Sequence, residues 1–370
     1  MSTLQIGFDT SPLYGPKTGI GFAVEAMRGA LRERTDVELV DYLLSVRARP
    51  AESVRRLPLP AAVAHQCWAR TDHPCVDRWL RDVDVVHGTN YVVPPSSLPR
   101  LVSVYDCWFL RHPNDANPAV RLAGKVLRRA VATGAVVHAS SHATASALRE
   151  FLPGAQVHTV HLAALPLAPP PPVSPISQLT DRPFIVAIGT LERRKNLPRL
   201  VAAFGLIATQ EPELQLVLSG SDGDDREAVN SAVDALGPLA ERVMFTGRVD
   251  ETVRSWLLHH AQVLAYPSLD EGFGFPLLDA MQAGVPIVAS NAGSIPEVAG
   301  DAALLCAATD TTALASNLQT AVASPSVRAH LVAAGQQQVV QFSWERCAGE
   351  MAQLYRHLAA GNSHINTEQV

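Results

Sequence analysis

The sequence has no long apolar run and no strong excess of charge. No stretch reaches the roughly 20 consecutive apolar residues that a membrane-spanning helix needs, because glycine, proline or charge interrupts every apolar segment. Charged residues make up 18% of the chain and the formal net charge is -5, which does not supply the basic face of a general nucleic-acid binder. We therefore expect neither a membrane span nor a nucleic-acid partner.

Cysteine is scarce and scattered. The five cysteines are an odd number at irregular spacings, which excludes the dense disulfide framework of a small secreted domain. The first residues, MSTLQIGFDTSPLYG, lack the basic segment and the apolar core of a signal peptide. These features predict a cytoplasmic protein with reduced thiols.

What is present is an alternation of short β-branched runs with longer helical patterns. Apolar residues make up 47% of 370 residues, which suits an ordinary globular protein of two domains. Runs such as 4–10 and 184–189 read as strands, and the helical patterns at 21–34 and 197–208 follow them. This order is typical of βαβ units, so the sequence predicts an α/β fold with parallel sheets.

A proline-rich segment divides the alternating pattern in two. Six prolines lie between residues 166 and 175, a density that neither a helix nor a central strand tolerates. The sequence predicts these divisions: an N-terminal Rossmann-like acceptor domain at 1–165, a linker at 166–178, a C-terminal Rossmann-like donor domain at 179–342, a bracing helix at 343–360 that Ser343 caps, and a polar tail at 361–370.

A glycine-rich loop, Gly15-Pro-Lys-Thr-Gly-Ile-Gly21, follows the first predicted strand. Glycines let backbone N–H groups approach a ligand, and the start of the next helix favours negative charge. Such turns are common, so this one alone is a weak indication of phosphate binding, and a tight strand–helix turn is the favoured explanation.

A basic turn, Gly189-Thr-Leu-Glu-Arg-Arg-Lys-Asn196, follows the first strand of the second series. Its three consecutive cations lie at the carboxyl end of that strand, the edge at which open α/β sheets bind ligands. Arginine and lysine at this position suit a diphosphate. A solvated basic turn is the alternative, and the strand-end location favours the functional interpretation.

The most informative segment runs from Ser268 to Gly284, SLDEGFGFPLLDAMQAG. Gly272 and Gly274 are expected to leave backbone N–H groups exposed before a helix with Pro276 in its first turn. Glu271 and Asp279 can border the start of the same helix. Carboxylates accept hydrogen bonds from sugar hydroxyls, while free N–H groups and the helix dipole favour phosphate, so one segment offers what a nucleotide sugar needs.

These segments together resemble a known family. The segment EGFGFPLLDAMQAGVPIVAS is similar to the donor-site signature of retaining GT-B glycosyltransferases of family 4, glycosyl transferases group 1, in which a Glu, seven residues and a second Glu recur. The blocks GTLERRKNL, FTGRV, NAGSIPEVAGDAALL and FSWERCA also resemble this family and occur in its order. The resemblance covers nearly the whole chain and implies a GT-B fold, with two Rossmann-like domains facing a central cleft.

The resemblance also implies a role for individual residues. It places Arg194 and Lys195 on the donor diphosphate, Glu271 on the transferred sugar and Asp279 on the ribose. It assigns backbone near the sugar and phosphate to Gly272, Phe273 and Gly274, the turn that lines the base to Gly247, Arg248 and Val249, the N-terminal glycine facing the diphosphate to Gly19, and a catalytic position to Asp106.

Two positions depart from the family pattern. Asp279 stands where the second Glu is expected and is one methylene shorter, so it must lie closer to a ribose. Tyr105 precedes Asp106 where the family commonly has a His that contacts the transferred sugar. This second departure leaves open a changed sugar preference or a weakened enzyme.

The function that the resemblance implies is transfer of a hexose, with anomeric retention, from a GDP- or UDP-linked sugar to a hydroxyl acceptor. Mannose is favoured by its frequency in the family. The acceptor is expected to be a glycan, a glycolipid or a polysaccharide precursor. Two alternatives stay open: a catalytically weak GT-B scaffold that binds a nucleotide sugar, which Tyr105 would explain, and a sugar-nucleotide epimerase, against which the ordered blocks speak.

No cofactor and no metal are expected, because the family's chemistry uses the nucleotide sugar as co-substrate and meets the charge of the leaving diphosphate with cations and helix N-termini. A basic stretch in the N-terminal half leaves a peripheral contact with the inner face of the membrane open, although a solvated helix face is favoured. Its residues are Arg111, Arg121, Lys125, Arg128 and Arg129.

Overall fold

The structure, a computed structural model, describes residues 3–15, 18–46, 48, 51–179 and 182–361. Pro16 and Lys17 of the predicted glycine-rich loop, and the tail beyond Gly361, lie outside the described residues. The chain forms two compact units. The first comprises Met1–Ala163 together with the segment from Phe342 onwards, and the second comprises Ala164–Gln341.

The first unit is built on a parallel seven-stranded sheet, as the alternating pattern predicts. Its strands are β1 (Leu4–Asp9), β2 (Val37–Leu44), β3 (Arg55–Leu57), β4 (Val85–Gly88), β5 (Arg100–Val104), β6 (Val136–Ala139) and β7 (Val157–Thr159). They lie in the order β3-β2-β1-β4-β5-β6-β7. The inner strands β4, β5 and β6 are buried along their whole length because helices cover both faces of a parallel sheet.

Five helices connect these strands. They are α1 (Gly19–Arg32), α2 (Ala61–Trp68), α3 (Trp108–Arg111), α4 (Pro118–Ala132) and α5 (His142–Phe151). On α1 the side chains of Val24, Met27 and Leu31 are fully buried, which confirms the apolar face that the sequence predicts. Asn117 begins α4 by accepting a hydrogen bond from the N–H of Val120 (3.0 Å).

The second unit has a parallel six-stranded sheet. Its strands are β8 (Phe184–Ile188), β9 (Gln215–Ser219), β10 (Val243–Gly247), β11 (Val263–Tyr266), β12 (Ile287–Ser290) and β13 (Ala303–Cys306). The order is β10-β9-β8-β11-β12-β13. The chain therefore runs outward from β8 to one edge and from β11 to the other. The order of the parallel strands thus changes direction between β8 and β11.

Among the residues that the structure describes, seven α-helices belong to this unit. They are α6 (Leu197–Ala208), α7 (Arg226–Asp234), α8 (Glu251–His260), α9 (Phe275–Ala283), α10 (Ile295–Ala299), α11 (Thr311–Ala323) and α12 (Pro325–Val339). On α6, Leu200, Val201 and Phe204 are fully buried against the core that also contains Ile185 of β8. The predicted apolar face of this helix is therefore confirmed.

The last helix, α13 (Trp344–Ala359), belongs to the first unit. Ser343 caps it by accepting a hydrogen bond from the N–H of Arg346 (3.1 Å), as the sequence predicts. Tyr355 is fully buried, and Arg356 forms an ion pair with Asp36, which precedes β2. The helix is thus fixed to the sheet by an apolar face and by a polar contact at its end.

A buried chain of hydrogen bonds continues from Tyr355 across three strands. The pairs are Tyr355 Oη–His87 Nδ1, His87 Nε2–Ser103 Oγ and Ser103 Oγ–His138 Nδ1 (each 2.8 Å), and His138 Nε2–Val160 O (2.9 Å). Since the Val160 carbonyl can only accept, His138 donates from Nε2, Ser103 donates to His138, His87 donates to Ser103, and Tyr355 donates to His87. Burial lowers the pKa of both histidines, that of His138 to about 4, so both rings are neutral at physiological pH.

The proline-rich segment contains no helix or strand between β7 and a 3-10 turn at Ser177–Leu179, as its composition predicts. The hydroxyl of Ser255 on α8 donates to the carbonyl of Ala168, which fixes part of this segment to the second unit. Among the described residues, no helix has both the length and the apolar character to cross a membrane.

Candidate active site

The predicted basic turn and the Glu271 loop lie side by side at the carboxyl ends of β8 and β11. These are the two neighbouring strands between which the strand order of the second sheet changes direction. In open α/β sheets this position forms the crevice that binds ligands. The two loops are joined directly, since the N–H of Leu269 donates to the carbonyl of Arg194 (2.7 Å).

Glu271 holds both predicted diphosphate-binding cations. Lys195 Nζ lies 2.6 Å from Glu271 Oε1, and Arg194 Nη1 lies 2.6 Å from Glu271 Oε2. Lys195 also donates to the hydroxyl of Tyr266 (3.2 Å) at the end of β11. The side chain of Glu271 is 5% exposed, against 13% for Lys195 and 18% for Arg194, so the carboxylate lies innermost and the cations lie nearer to solvent.

The charges of this cluster are fixed by their mutual contacts. Burial alone would raise the pKa of Glu271, but the attraction of Arg194 and Lys195 outweighs it and lowers the pKa to about 2. Burial lowers the pKa of Lys195 from its ordinary value, and the attraction of Glu271 opposes this lowering. At the ligand edge of the sheet the carboxylate of Glu271 therefore lies between two cationic side chains, and a second carboxylate, that of Glu192, lies 3.6 Å from Arg194.

Asn196 explains why the basic turn has this shape. It adopts a left-handed conformation (φ 55°) between the 3-10 turn Arg193–Lys195 and the start of α6. Asparagine tolerates this conformation better than most residues. Its side-chain amide donates to the carbonyls of Pro267 (2.9 Å) and Ala308 (2.8 Å), and the turn is thereby fixed to the end of β11.

Gly293 supports the backbone of Glu271 from the next loop. It has φ +55°, and a β-carbon at this position would lie 2.5 Å from both the Asp270 Oδ1 atom and the Glu271 carbonyl oxygen. The adjacent N–H of Ser294 donates to the same Glu271 carbonyl (3.0 Å). The backbone of Glu271 therefore depends on a residue without a side chain at position 293, a requirement that its position in the sequence alone does not reveal.

We expect Gly293→Ala to lower both stability and turnover, the latter by about tenfold or more, because misplacing a site residue by about 1 Å has effects of this size or larger. Gly237→Ala is the matched control: Gly237 has a similar φ of +59° but no atom within 4 Å of the added β-carbon. It should cost only the roughly 1–2 kcal/mol of left-handed alanine. Equal losses of melting temperature in the two variants, with unchanged turnover, would contradict the role assigned to Gly293.

Asp279 lies on α9, one turn into the helix as predicted, and is 1% exposed. Its Oδ2 atom pairs with Arg254 of α8, and its Oδ1 atom has no hydrogen-bond partner among the described residues. Burial raises the pKa of Asp279 to about 6 in spite of Arg254. One oxygen of this carboxylate is therefore neutralised by an arginine that the sequence analysis did not identify, and the other has no donor.

The glycines before α9 differ from expectation in one respect. Gly272, Phe273 and Gly274 are all buried, so the prediction of exposed backbone at the two glycines is wrong. The physical reason is local packing: Gly274 has φ +96° and contacts Leu277, and the ring of Phe273 lies edge-on against that of Phe275 (5.4 Å). Pro276 occupies the first turn of α9, as predicted.

The predicted base-binding turn follows β10, at the edge of the same sheet. Gly247 has φ +67° and accepts a hydrogen bond from the N–H of Gly220 (3.0 Å). Arg248 is exposed and Val249 is partly buried. The turn leads directly into α8, which carries Arg254, so the structure connects the Gly247–Val249 turn to Asp279 through one helix.

An acidic loop after β9, which the sequence analysis passes over, lies against the basic turn. Asp224 accepts a hydrogen bond from the N–H of Arg193 (3.0 Å), and Asp222 forms an ion pair with Arg226 (2.7 Å). The spacing Asp222-Gly223-Asp224 is the signal by which the loop could have been found. Its two carboxylates bind different donors, and the loop fixes the backbone of the turn that presents Arg194 and Lys195.

Two predicted site residues belong to the first unit. Gly19 is the first residue of α1, in the connection that follows β1. Asp106 follows β5, and its carboxylate accepts hydrogen bonds from the hydroxyl of Tyr91 (3.2 Å) and the N–H of Trp108 (3.1 Å). Tyr105 is 6% exposed, and its ring lies edge-on to Tyr91 (6.2 Å). The catalytic position that the resemblance implies for Asp106 stays a prediction.

Comparison with known sequences agrees with this geometry. The sequence profile of the family described as "Glycosyl transferases group 1" matches residues 174–338, which include the whole cluster around Glu271. The "O-antigen chain mannosyltransferase B" of Escherichia coli is 30% identical over 392 aligned residues, which cover 96% of this chain and 100% of that protein.

Comparison with solved structures supports the fold. The sucrose-phosphate synthase of Thermosynechococcus elongatus superposes with a TM-score of 0.74 at 20% identity and covers 98% of this chain and 100% of its own. The Anabaena protein Alr3699/HepE in complex with UDP-glucose gives a TM-score of 0.69 at 18% identity, over 95% of this chain and 99% of its own. The predicted GT-B architecture, with two parallel-sheet α/β domains, is confirmed.

Proposed function

Because this chain belongs to the glycosyl transferases group 1 family and is a glycosyltransferase, we propose that it transfers a hexose, with mannose favoured, from a nucleotide diphosphate sugar to a hydroxyl acceptor with retention of anomeric configuration. The observation that carries the proposal is the cluster of Arg194, Lys195 and Glu271 at the ligand edge of the second sheet.

In this proposal, different residues of the cluster bind the diphosphate and the sugar of the donor. Lys195 and Arg194 bind the diphosphate, whose negative charge grows as the bond to the sugar breaks, and preorganised cations stabilise such charge most effectively in a partly buried site. Glu271, which stays ionised to about pH 2, accepts hydrogen bonds from hydroxyls of the transferred sugar. Gly272, Phe273 and Gly274 form the backbone next to that sugar.

Asp279 receives the ribose hydroxyls in this assignment. Its Oδ1 atom is a buried acceptor without a donor, which a ribose hydroxyl would supply, and Arg254 favours the ionised form of the carboxylate. The shorter side chain of Asp relative to Glu brings the ribose closer to α9. The turn Gly247–Val249 precedes the first turn of α8 and would contact the base. Gly19 of the first unit is assigned to the diphosphate.

The proposed reaction needs no nucleophile from the protein. The bond between the anomeric carbon and the diphosphate oxygen breaks, and a bond to the acceptor oxygen forms on the same face of the sugar. The acceptor proton passes to the leaving diphosphate, which departs with the electron pair of the broken bond. Arg194 and Lys195 stabilise the charge on the leaving group, and Asp106 is assigned to the acceptor side.

The names of the relatives support the choice of donor. The O-antigen chain mannosyltransferase supports a mannosyl donor, for which we propose GDP-mannose, with a glycan or lipid-linked acceptor, and the Anabaena structure with UDP-glucose keeps UDP-linked sugars as the second choice. The test is a thermal-shift and hydrolysis screen of GDP-mannose, GDP, UDP-glucose and UDP with the full chain. A bound donor raises the melting temperature by mass action. Proton NMR of the product then reports its anomeric configuration.

We expect GDP-mannose to give the largest stabilisation and to be consumed, and any glycoside product to have the α configuration of the donor. Stabilisation by UDP and UDP-glucose alone would identify a UDP-linked sugar as the donor and leave the proposed reaction class unchanged. A chain that is stabilised by none of these compounds and consumes none of them would contradict the proposal.

We expect activity to survive excess EDTA within about twofold. Two cations already meet the diphosphate, and such groups can provide the electrostatic stabilisation that a metal ion gives in other enzymes. The measurement is donor consumption with and without chelator. Loss of activity that magnesium or manganese restores would contradict the expectation, and Asp222 and Asp224 beside the basic turn would be the first residues to substitute.

For a lipid-linked acceptor, helix α4 offers the surface of peripheral membrane contact. Arg121, Lys125 and Arg128 lie on one exposed face of this helix, which contains no acidic residue, whereas Arg129 turns to Asp72 (2.8 Å). We expect cosedimentation with anionic lipid vesicles at low salt, and its loss in the double variant Arg121→Glu, Lys125→Glu. Absence of cosedimentation for the unmodified chain would identify the face as merely solvated and the protein as purely cytoplasmic.

A further inference from the structure

Asp9 is the last residue of β1, beside the point where the strand order of the first unit's sheet changes direction. The order β3-β2-β1-β4 places β4 next to β1, and from these two strands the chain runs to opposite edges of the sheet. This is the counterpart in the first unit of the β8–β11 position. By the same rule, a side chain at the carboxyl end of β1 lies where an open α/β sheet binds its ligand.

The two oxygens of this carboxylate have different surroundings. Oδ1 accepts hydrogen bonds from the N–H of Ser11 (2.9 Å) and from its hydroxyl (2.5 Å). In the part of the chain that the structure describes, no residue donates to Oδ2, and no arginine, lysine or histidine forms an ion pair with Asp9. The residue is only partly buried, and Oδ2 is the oxygen of this carboxylate that has no donor among the described residues.

Two other carboxylates among the described residues are each compensated by two cations. Asp41, on the neighbouring strand β2, is 1% exposed and pairs with both Arg28 and Arg32, and Glu271 pairs with two cations. Asp9 has no such partner among the described residues. Loss of hydration around the carboxylate raises its pKa to about 6, against the lowering effect of the hydrogen bonds from Ser11. A carboxylate whose ionisation is opposed by burial and which lies in a ligand crevice is typical of a functional residue.

The groups that face Asp9 cannot titrate in its place. Tyr42 lies opposite on β2, Tyr105 approaches from β5, and the ring of His87 on β4 lies edge-on to Phe8 (5.4 Å). Burial raises the pKa of both tyrosines and lowers that of His87, so all three are neutral at pH 7. The hydroxyl of Thr89 binds the backbone carbonyl of Asp9 (2.8 Å), not its carboxylate.

From this arrangement we infer that Asp9 binds the acceptor: its Oδ2 atom accepts a hydrogen bond from a sugar hydroxyl of the molecule that receives the hexose. The inference rests on the proposed glycosyl transfer and names a residue for the acceptor side. An ionised carboxylate is a stronger acceptor than a neutral group, and a hydroxyl can donate to Oδ2 while Ser11 keeps Oδ1 in place. The acceptor is a polyhydroxylated compound.

The alternative is that Asp9 only shapes the turn after β1. The variant Asp9→Asn separates the two explanations, because the amide keeps an oxygen that can accept from Ser11 but removes the charge. Since folding raises the pKa of Asp9 above its ordinary value of 3.8 to about 6, ionisation opposes folding above that range. The variant should therefore melt at a higher temperature than the unmodified chain at pH 7.5, and the difference should disappear as the pH falls towards 4.

The activity test uses GDP-mannose as donor and the methyl α-glycosides of mannose, glucose and galactose as probe acceptors. For the best probe, Asp9→Asn should lower kcat/KM for the acceptor by about tenfold or more, the range of a hydrogen bond to a charged group. The rise of that kcat/KM through pH 6 should be absent in the variant. Consumption of donor by water and the affinity for GDP should stay within twofold.

Asp84→Asn is the matched control. Asp84 lies before β4, at the opposite end of the sheet, and accepts a hydrogen bond from the N–H of Gln5 (2.8 Å). It should change no kinetic constant. An unchanged acceptor kcat/KM in Asp9→Asn, a lower melting temperature at pH 7.5, or the failure of every probe to accelerate donor consumption would overturn the inference. A chain that binds no nucleotide sugar at all would instead overturn the proposed function, so the two failures are distinguishable.

Discussion

Glu271→Gln is expected to lower turnover by about a hundredfold or more while leaving the protein folded. The substitution removes the charge of the one carboxylate that touches both Arg194 and Lys195. It also weakens the acceptor that we assign to the transferred sugar, and losing a preorganised electrostatic contact in an active site has effects of this size. The measurement is the initial rate of donor consumption at saturating donor.

The same variant should bind free nucleoside diphosphate at least as tightly as the unmodified chain. In the structure the carboxylate of Glu271 occupies the two cations that a diphosphate needs, so removing its charge removes a competitor. Glu192→Gln is the matched control, since Glu192 lies in the same turn, is 42% exposed and is 3.6 Å from Arg194. Near-normal turnover of a folded Glu271→Gln protein would remove Glu271 from the site.

Lys195→Ala and Arg194→Ala should each weaken the binding of free nucleoside diphosphate by about 10- to 150-fold. Each loses one charge-assisted hydrogen bond, worth about 1.5–3 kcal/mol. The loss should appear in the affinity for the product as well as in the KM for the donor, because the contact is to the diphosphate and not to the sugar. Isothermal titration calorimetry measures it directly.

Arg193→Ala is the matched control for both variants. Arg193 is the third cation of the same turn, but its residue is exposed and its backbone binds Asp224. A loss of affinity in Arg193→Ala equal to that in Lys195→Ala would show that the turn attracts the diphosphate only by its total charge. Unchanged affinity in Lys195→Ala and Arg194→Ala would identify the turn as a solvated loop.

The sequence predicted the parts of the molecule that repeat a simple physical pattern. Strand β8 is a continuous apolar run, and α6 and α13 have apolar faces at helical spacing, so their predicted positions are correct to within one or two residues. The resemblance to the family places the basic turn and the Glu271 loop on one nucleotide sugar, and the structure brings Arg194, Lys195 and Glu271 into contact.

What the sequence could not predict depends on contacts between distant residues. Arg254 meets Asp279 only because α8 and α9 are neighbours, and Gly293 meets Glu271 only because two loops cross at the sheet edge. The three-residue strand β3 is too short to show an alternation of apolar and polar residues. Helix α12 has no clear apolar face in its sequence, because only Leu331 and Gly335 of this helix are buried.

Asp9 shows the same limit for single residues. In the sequence it is one acidic residue at the end of a strand, and nothing distinguishes it from Asp41, which ends up paired with two arginines. Only the packing shows which of the two carboxylates is compensated. The identification of unusual carboxylates therefore requires the structure, whereas the identification of the basic turn does not.

The most direct test of the central claim is a crystal structure of the protein with bound GDP. The account predicts the β-phosphate within hydrogen-bonding distance of Lys195 Nζ and the Arg194 guanidinium, and the ribose hydroxyls at Asp279 Oδ1. A diphosphate bound elsewhere, with Glu271 still holding both cations and Asp279 still without a donor, would contradict it.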